Sequence, residues 1–282
     1  MYARAPASSA NLGPGFDSLA VALELYLEVT LELADSFEIT SEGFGAGLYD
    51  NEDHLAVQVA ASILGHKNFK MHVNSEIPLS RGLGSSASLA LAAAAAAGAD
   101  DPLAVASALD GHAENAAASM FGGLVIASFS ERDGVIARSL PLDEAWRFVF
   151  VVPEQELLTS EARRVLPSKI AFEDAVKNLN ALGLLIAGLA DHHNFVPSAM
   201  DDYLHQPYRM PLLSFARPLL DRLLEAGAAG SCWSGAGSAM LGLATPSTAS
   251  DVADAAQEFL VKNDVPGTVF TLKADLGGLV TR

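Results

Sequence analysis

Between Pro78 and Ala87 the chain reads Pro-Leu-Ser-Arg-Gly-Leu-Gly-Ser-Ser-Ala and then runs directly into an alanine-dominated, helix-forming stretch. Gly82 and Gly84 permit positive φ and close backbone approach, so successive N–H groups can turn toward one point. The helix that follows adds unpaired first-turn donors and the positive end of its dipole. Together these form a cradle for phosphate, with the hydroxyls of Ser85 and Ser86 beside it. A plain helix N-cap uses the same residue types, so the rest of the chain has to decide between the two.

Competing chemistries lose support quickly. The sequence contains no G-x-x-x-x-G-K-[ST], no G-x-G-x-x-G, no H-E-x-x-H and no G-x-S-x-G, which removes the usual marks of P-loop, dinucleotide, zinc-peptidase and hydrolase sites. A single cysteine, Cys232, excludes an intramolecular disulfide and reads as a small buried hydrophobe. The net charge of −17 argues against a nucleic-acid partner, which needs clustered Lys and Arg. It also means that an anionic ligand requires the few cations to be gathered locally. The longest apolar stretch, Leu89 to Ala99, is far short of roughly 18 residues, so no membrane span is expected. Met1 to Ala10 lacks the apolar core of a signal peptide, and a cytoplasmic location is expected. The adjacent His192 and His193 read as solvated loop residues rather than a metal pair.

Period-two alternation over Tyr26 to Leu33 predicts a half-buried strand, with further strands at Lys70 to Val73 and Leu124 to Phe129. Helices are expected over Leu55 to Leu64, Ser85 to Ala97, Pro102 to Ala108 and Phe172 to Leu189. A second half begins near residue 145, with strands at Arg147 to Val152, Gly230 to Trp233, Ala239 to Ala244 and Thr268 to Lys273 and helices between them. Strands that gather before and after helices, rather than alternating with them, indicate an α+β fold.

Three stretches in fixed order carry a resemblance. Pro6-Ala7-Ser8-Ser9-Ala10-Asn11-Leu12-Gly13-Pro14-Gly15-Phe16-Asp17 resembles the first motif of the homoserine kinases of the GHMP kinase superfamily, residues 78–87 the second, and Ser234-Gly235-Ala236-Gly237 the third. Gly111-His112-Ala113-Glu114-Asn115, Thr159 to Pro167 and Leu204-His205-Gln206-Pro207-Tyr208-Arg209 are similar to further stretches of those enzymes, so the likeness covers nearly the whole chain. It implies a two-domain α+β fold, residues 1–145 and 146–282, with a first half like domain 2 of ribosomal protein S5 and a ferredoxin-like second half.

The resemblance also implies ATP with magnesium as cofactors and L-homoserine as acceptor, with homodimerisation left open. ATP would lie against Pro78, Arg81, Gly82, Leu83, Gly84, Ser85, Ser86, Ser234, Gly235, Ala236 and Gly237. The metal would sit at Ser86 and Asp110. Asn11, Asp17, His112, Glu114, Thr159, Arg163 and Arg209 would hold the amino acid. A zwitterion needs a carboxylate for its ammonium, from Asp17 or Glu114, and a guanidinium for its carboxylate, from Arg163 or Arg209. Plainer roles exist: Asn11 and Asp17 as turn formers, His112 bonded to a loop carbonyl, Arg209 lying over the surface. Asn115 stands where related kinases place an aspartate base. It cannot take a proton, so it would orient the hydroxyl, alongside Ser86 in the catalytic set. Asp110, Glu114, Ser238-Ala239 and His54 depart from the usual pattern. They admit a divergent GHMP kinase for another small alcohol, or a non-catalytic small-molecule-binding relative.

Overall fold

The computed structural model describes residues 1–111 and 113–282, with Asp110 described by its backbone alone. Two antiparallel strands open the chain, β1 (Tyr2–Asn11) and β2 (Gly15–Leu33), joined at the Asn11 to Gly15 turn. They are followed by β3 (Glu38–Gly43), α1 (Leu55–Leu64), β4 (Phe69–Ser75), α2 (Ser85–Ala96), α3 (Pro102–Asp110) and α4 (Ala113–Phe121). A hairpin, β5 (Leu124–Ser130) and β6 (Gly134–Leu140), ends this half.

The second half holds β7 (Arg147–Pro153), α5 (Thr159–Arg164), α6 (Phe172–Ala190), α7 (Gln206–Arg209), α8 (Ala216–Glu225), β8 (Gly230–Trp233), β9 (Met240–Ala244), α9 (Ala249–Lys262), β10 (Gly267–Leu272) and β11 (Val280–Thr281). The α+β expectation holds, and the expected strands and helices fall on observed elements with shifted ends. β1, β3, β6, β11, α4 and the part of β2 before Tyr26 were not foreseen. In α2 nearly every residue is buried, and its small side chains let β1, β2, α1, α3 and α4 all pack closely around it.

The first sheet is ordered β11-β1-β2-β4-β3, with β5 and β6 attached beyond the N-terminal part of β2. β2 is long enough to pair with β5 through Leu19–Val21 and with β4 through Leu27–Leu33. β1 is buried on both faces from Ala5 onward, which only small residues allow under the helices. Pro6 sits where the β1–β2 register shifts, the position at which a strand tolerates a missing N–H. Its carbonyl accepts from Ser88 Oγ and Ser119 Oγ, both at 2.8 Å, fastening α2 and α4 to the strand.

The second sheet, β10-β7-β9-β8, is antiparallel. β7 is buried throughout its interior because its two faces serve two cores. Phe148, Phe150 and Val152 face the core shared with α6, while Val149 and Val151 face α8 and α9. Among the described residues no helix is long and apolar enough to cross a membrane.

The chain's last residues return to the first sheet. Ala274 bridges Leu23, the Asp275 amide donates to Ala22 O at 3.1 Å, and β11 pairs with β1. Asp275 is buried and its carboxylate accepts from the Gly277 and Gly278 amides and from the Tyr26 hydroxyl. Burial and this carboxylate push the Tyr26 hydroxyl up to about 12, so it stays a donor. Replacing Asp275 with alanine leaves three donors without their acceptor and is expected to lower the unfolding free energy by about 2–4 kcal/mol. Urea unfolding measures this, and an unchanged midpoint would refute the role given to Asp275.

Candidate active site

Three loops meet where α2 begins. Gly82 and Gly84 have φ of 77° and 70°, and Gly84 is the N-cap of α2 without a side-chain cap, so the first-turn amides have no acceptor within the helix. The carbonyls of the loop are taken by its neighbours. Leu83 O accepts from the Ser8 amide at 3.1 Å, Gly82 O from Ser234 Oγ at 2.5 Å, and Arg81 O from the Ala239 amide at 3.1 Å. A Cβ on Gly82 would lie 2.1 Å from Ser234 O, and one on Gly84 2.2 Å from Ser8 Oγ, so both positions need glycine for space as well as for φ. Ser9 Oγ and Ser234 Oγ are 2.9 Å apart, and the Gly235 amide donates to Ala10 O at 3.0 Å, which closes the triangle of loops.

The triangle walls a cleft of ≈170 Å³ lined by the α2 N-terminus together with Asp17, Glu114, Thr159, Arg163 and Arg209. Asn11 and Asp17 both have positive φ, 71° and 51°, a strain that surrounding contacts must hold. Asn11 Oδ1 accepts from the Asp17 amide at 3.0 Å and Asn11 Nδ2 donates to Gly235 O at 2.8 Å. Asn11 thus lines the cleft while both ends of its amide are engaged in holding the turn.

Asp17 and Arg163, separate candidates for the two ends of a zwitterion, are paired with each other at 2.6 Å. Each side chain thus already has an opposite charge beside it at the cleft wall. Arg163 Nε is nevertheless buried with no hydrogen-bond partner among the described residues, an orphan donor of the kind a ligand carboxylate satisfies.

Arg209 does not lie over the surface; it is 1% exposed. Its Nε donates to Ala162 O at 3.1 Å and its Nη1 to Gly235 O at 3.0 Å. Burial, with Arg163 next in weight, pulls its pKa down to about 10, which leaves it charged at neutral pH. Phe16 is a platform under both guanidiniums, each 5.4 Å from its ring centroid, and His205 stacks on it at 5.0 Å.

The remaining candidates divide. Ser86 is exposed at the start of α2, and Ser85 is buried beside it. Asn115 Oδ1 accepts from Ser8 Oγ at 3.1 Å, which leaves its Nδ2 group as the donor for a ligand. Glu114 is buried and Thr159 exposed, and both line the cleft. Pro78 is buried and lines neither this cleft nor its neighbour. Ser234 is held between Ser9 and Gly82.

Arg81 lines the cleft, but its donors go to Pro153 O, Leu79 O and Glu154 O, with Glu156 at 3.3 Å, bracing the loop against the end of β7. His112 and the Asp110 side chain lie outside the described residues. The expectation that His192 is solvated is corrected. It is half-buried, its Nδ1 lies 2.5 Å from Asp143 Oδ2, and it ties the segment before β7 to the end of α6.

A second cavity of ≈270 Å³ shares Ser80, Ser85 and Ser86 with the first and is walled by Phe44, Tyr49 and His54. His54 caps α1, its Nδ1 accepting from the Ala56 amide, and burial lowers its pKa. Phe44 and Tyr49 gave no signal in the sequence, since both fall in an irregular, turn-rich stretch.

Two family models match the chain, GHMP kinases N terminal domain over residues 54–123 and GHMP kinases C terminal over residues 172–262. A homoserine kinase of Carboxydothermus hydrogenoformans is 36% identical over 255 residues, covering 85% of this chain and 83% of that protein. A homoserine kinase of Thermus thermophilus is 38% identical over 252 residues, covering 85% of each. The crystal structure of homoserine kinase from Cytophaga hutchinsonii matches with a TM-score of 0.84 at 25% identity, covering 99% of this chain and 96% of that one.

Burial brings the pKa of His205 from 6.5 to about 4, so the folded protein keeps it neutral. Between those values the unfolded chain takes up a proton that the native state refuses. The stability that depends on this neutral ring is therefore whole above pH 6.5 and is lost as pH falls toward 4. The Tm advantage of the native protein over a His205→Gln variant is expected to shrink across that window. An advantage constant from pH 7 to about 4 would contradict the assignment.

Proposed function

We infer, since the chain belongs to the homoserine kinases of the GHMP kinase family, that it transfers the γ-phosphoryl group of ATP to the side-chain hydroxyl of L-homoserine. The observation that carries this reading is that one cleft is lined both by opposed charge, Asp17 with Arg163 and Arg209, and by the amide-rich start of α2. A zwitterion with a hydroxyl on a short chain spans such a cleft. Its ammonium takes Asp17, its carboxylate takes the free donors of Arg163 and Arg209, and its hydroxyl reaches toward the α2 N-terminus. The product is O-phospho-L-homoserine, an intermediate of threonine biosynthesis.

The triphosphate lies along residues 82–86, where first-turn amides and the helix dipole favour negative charge. The adenine goes to the cavity beyond Ser85 and Ser86, between Phe44 and Tyr49. Phosphoryl transfer asks for positioning and charge stabilisation more than for covalent chemistry. The homoserine oxygen bonds to the γ-phosphorus as the bond to the β,γ-bridging oxygen breaks and ADP leaves. Asn115 Nδ2 points the hydroxyl but cannot take its proton, which passes late to a phosphoryl oxygen.

The hydroxyl of Ser86 and the carboxylate of Glu114 are hard oxygen donors on the same cleft, the type magnesium takes, and Asp110 is retained as a further candidate ligand. Bound there, magnesium would neutralise charge on the phosphate oxygens.

ADP release with magnesium-ATP and a panel of L-homoserine, L-serine, L-threonine, mevalonate and no acceptor tests the reading. Turnover is expected with L-homoserine above the others. Arg209→Lys, which keeps the charge but removes the fork, is expected to raise KM for the amino acid about 10- to 100-fold and leave KM for ATP alone. Preference for mevalonate, or an Arg209→Lys enzyme with native KM, would sink it.

A further inference from the structure

Arg209 can present a fixed pair of donors to the cleft only if the rest of its fork is held, and the structure shows how it is held. Nε is bonded to Ala162 O, and the two protons of Nη1 go to Gly235 O and to Nδ1 of His205, 3.1 Å away. A guanidinium has donors and no acceptor, so His205 Nδ1 must supply a lone pair. The ring's proton is therefore on Nε2, where it meets Gly13 O at 2.9 Å and Asp202 Oδ2 at 3.1 Å. The ring is 0% exposed and flat against Phe16, and Asp202 also receives the amides of Leu204 and Gln206, so neither the ring nor its anchor can turn freely.

We propose that His205, as the neutral Nε2–H tautomer, is the positioning residue of the substrate-carboxylate clamp. Its Nδ1 lone pair directs Arg209 Nη1 away from the cleft so that Nη2 alone faces the ligand, and its Nε2–H ties that geometry to the Gly13 carbonyl of the first loop. The inference rests on the homoserine kinase reading for its kinetic consequence, though not for the tautomer. The groups facing the ring are Arg209 and Asp202 from its own segment and Asp17 from the first loop. A second positive charge here would repel Arg209 and remove the acceptor it needs, and burial keeps the ring uncharged.

Two substitutions separate the ring's functions. In His205→Asn the side-chain carbonyl falls near the Nδ1 position and keeps an acceptor for Arg209. In His205→Gln the amide reaches the Nε2 position and keeps a donor for Gly13 while losing that acceptor. With magnesium-ATP, His205→Gln is expected to raise KM for L-homoserine about tenfold or more with KM for ATP unchanged, and His205→Asn to raise it much less. Equal losses in both variants, spread over kcat and both KM values, would mark His205 as merely structural and overturn the proposal.

The tautomer is read separately in the ligand-free native protein by long-range 1H–15N correlation, with the His205 ring signals assigned by through-bond correlation to its own backbone. A protonated Nε2 with a bare Nδ1 is expected. A protonated Nδ1 refutes the proposal even if neither variant folds. If the native protein fails to phosphorylate L-homoserine while His205 shows the expected tautomer, the functional reading falls and the anchoring of Arg209 stands.

Discussion

The carbonyl oxygen of Gly235 receives Asn11 Nδ2 from the first loop and Arg209 Nη1 from the second half, so one acceptor fixes both walls of the cleft. That carbonyl is itself placed by the Gly235 amide on Ala10 O and by Ser234 between Ser9 and Gly82. Backbone groups in this position cannot drift as long side chains do, and they are buried where an unmet hydrogen bond is costly. The glycines of the phosphate-binding loop follow from the same packing, because Ser234 O and Ser8 Oγ approach Gly82 and Gly84 closer than a Cβ permits.

Electrostatics in the cleft reflects scarcity. The chain has 17 Lys and Arg against 34 Asp and Glu, yet Arg81, Arg163 and Arg209 all line this one cavity. Arg81 serves the loop and the strand end rather than a ligand, because carbonyls take most of its fork. Arg163 and Arg209 keep unused donors, and Phe16, 5.4 Å from each, offers a π face that softens the repulsion of two like charges.

Strong alternation over Tyr26 to Leu33 made the second part of β2 legible, and continuous β-branched and aromatic residues made β7 so. β1 was not, since Ala-Pro-Ala-Ser-Ser-Ala has neither period nor bulk, and its strand form comes from the sheet and helices that enclose it. α4 hid for a related reason: its alanines and Glu114, buried against β2 and β5, give no apolar stripe to read. Residue type picked out the loop at 78–87 and the family resemblance the other two, but neither gave the direction of the side chains. That Asp17 would close on Arg163 across 146 positions, or that Arg81 would turn back to Pro153, depends on contacts made only after the halves meet. His205 lay inside a recognised stretch, and its role appears only from which nitrogen faces a guanidinium.

The Asp17–Arg163 pair makes ligand entry a partner exchange. A zwitterion gives each of the two a replacement, whereas a neutral alcohol offers neither and would have to part them uncompensated. Binding strength is thereby traded for discrimination: little electrostatic energy is gained on entry even by the right molecule, and a molecule bearing one charge alone leaves the other partner stranded. The cleft is thus a filter set by charge separation along the ligand, operating before any phosphate is moved.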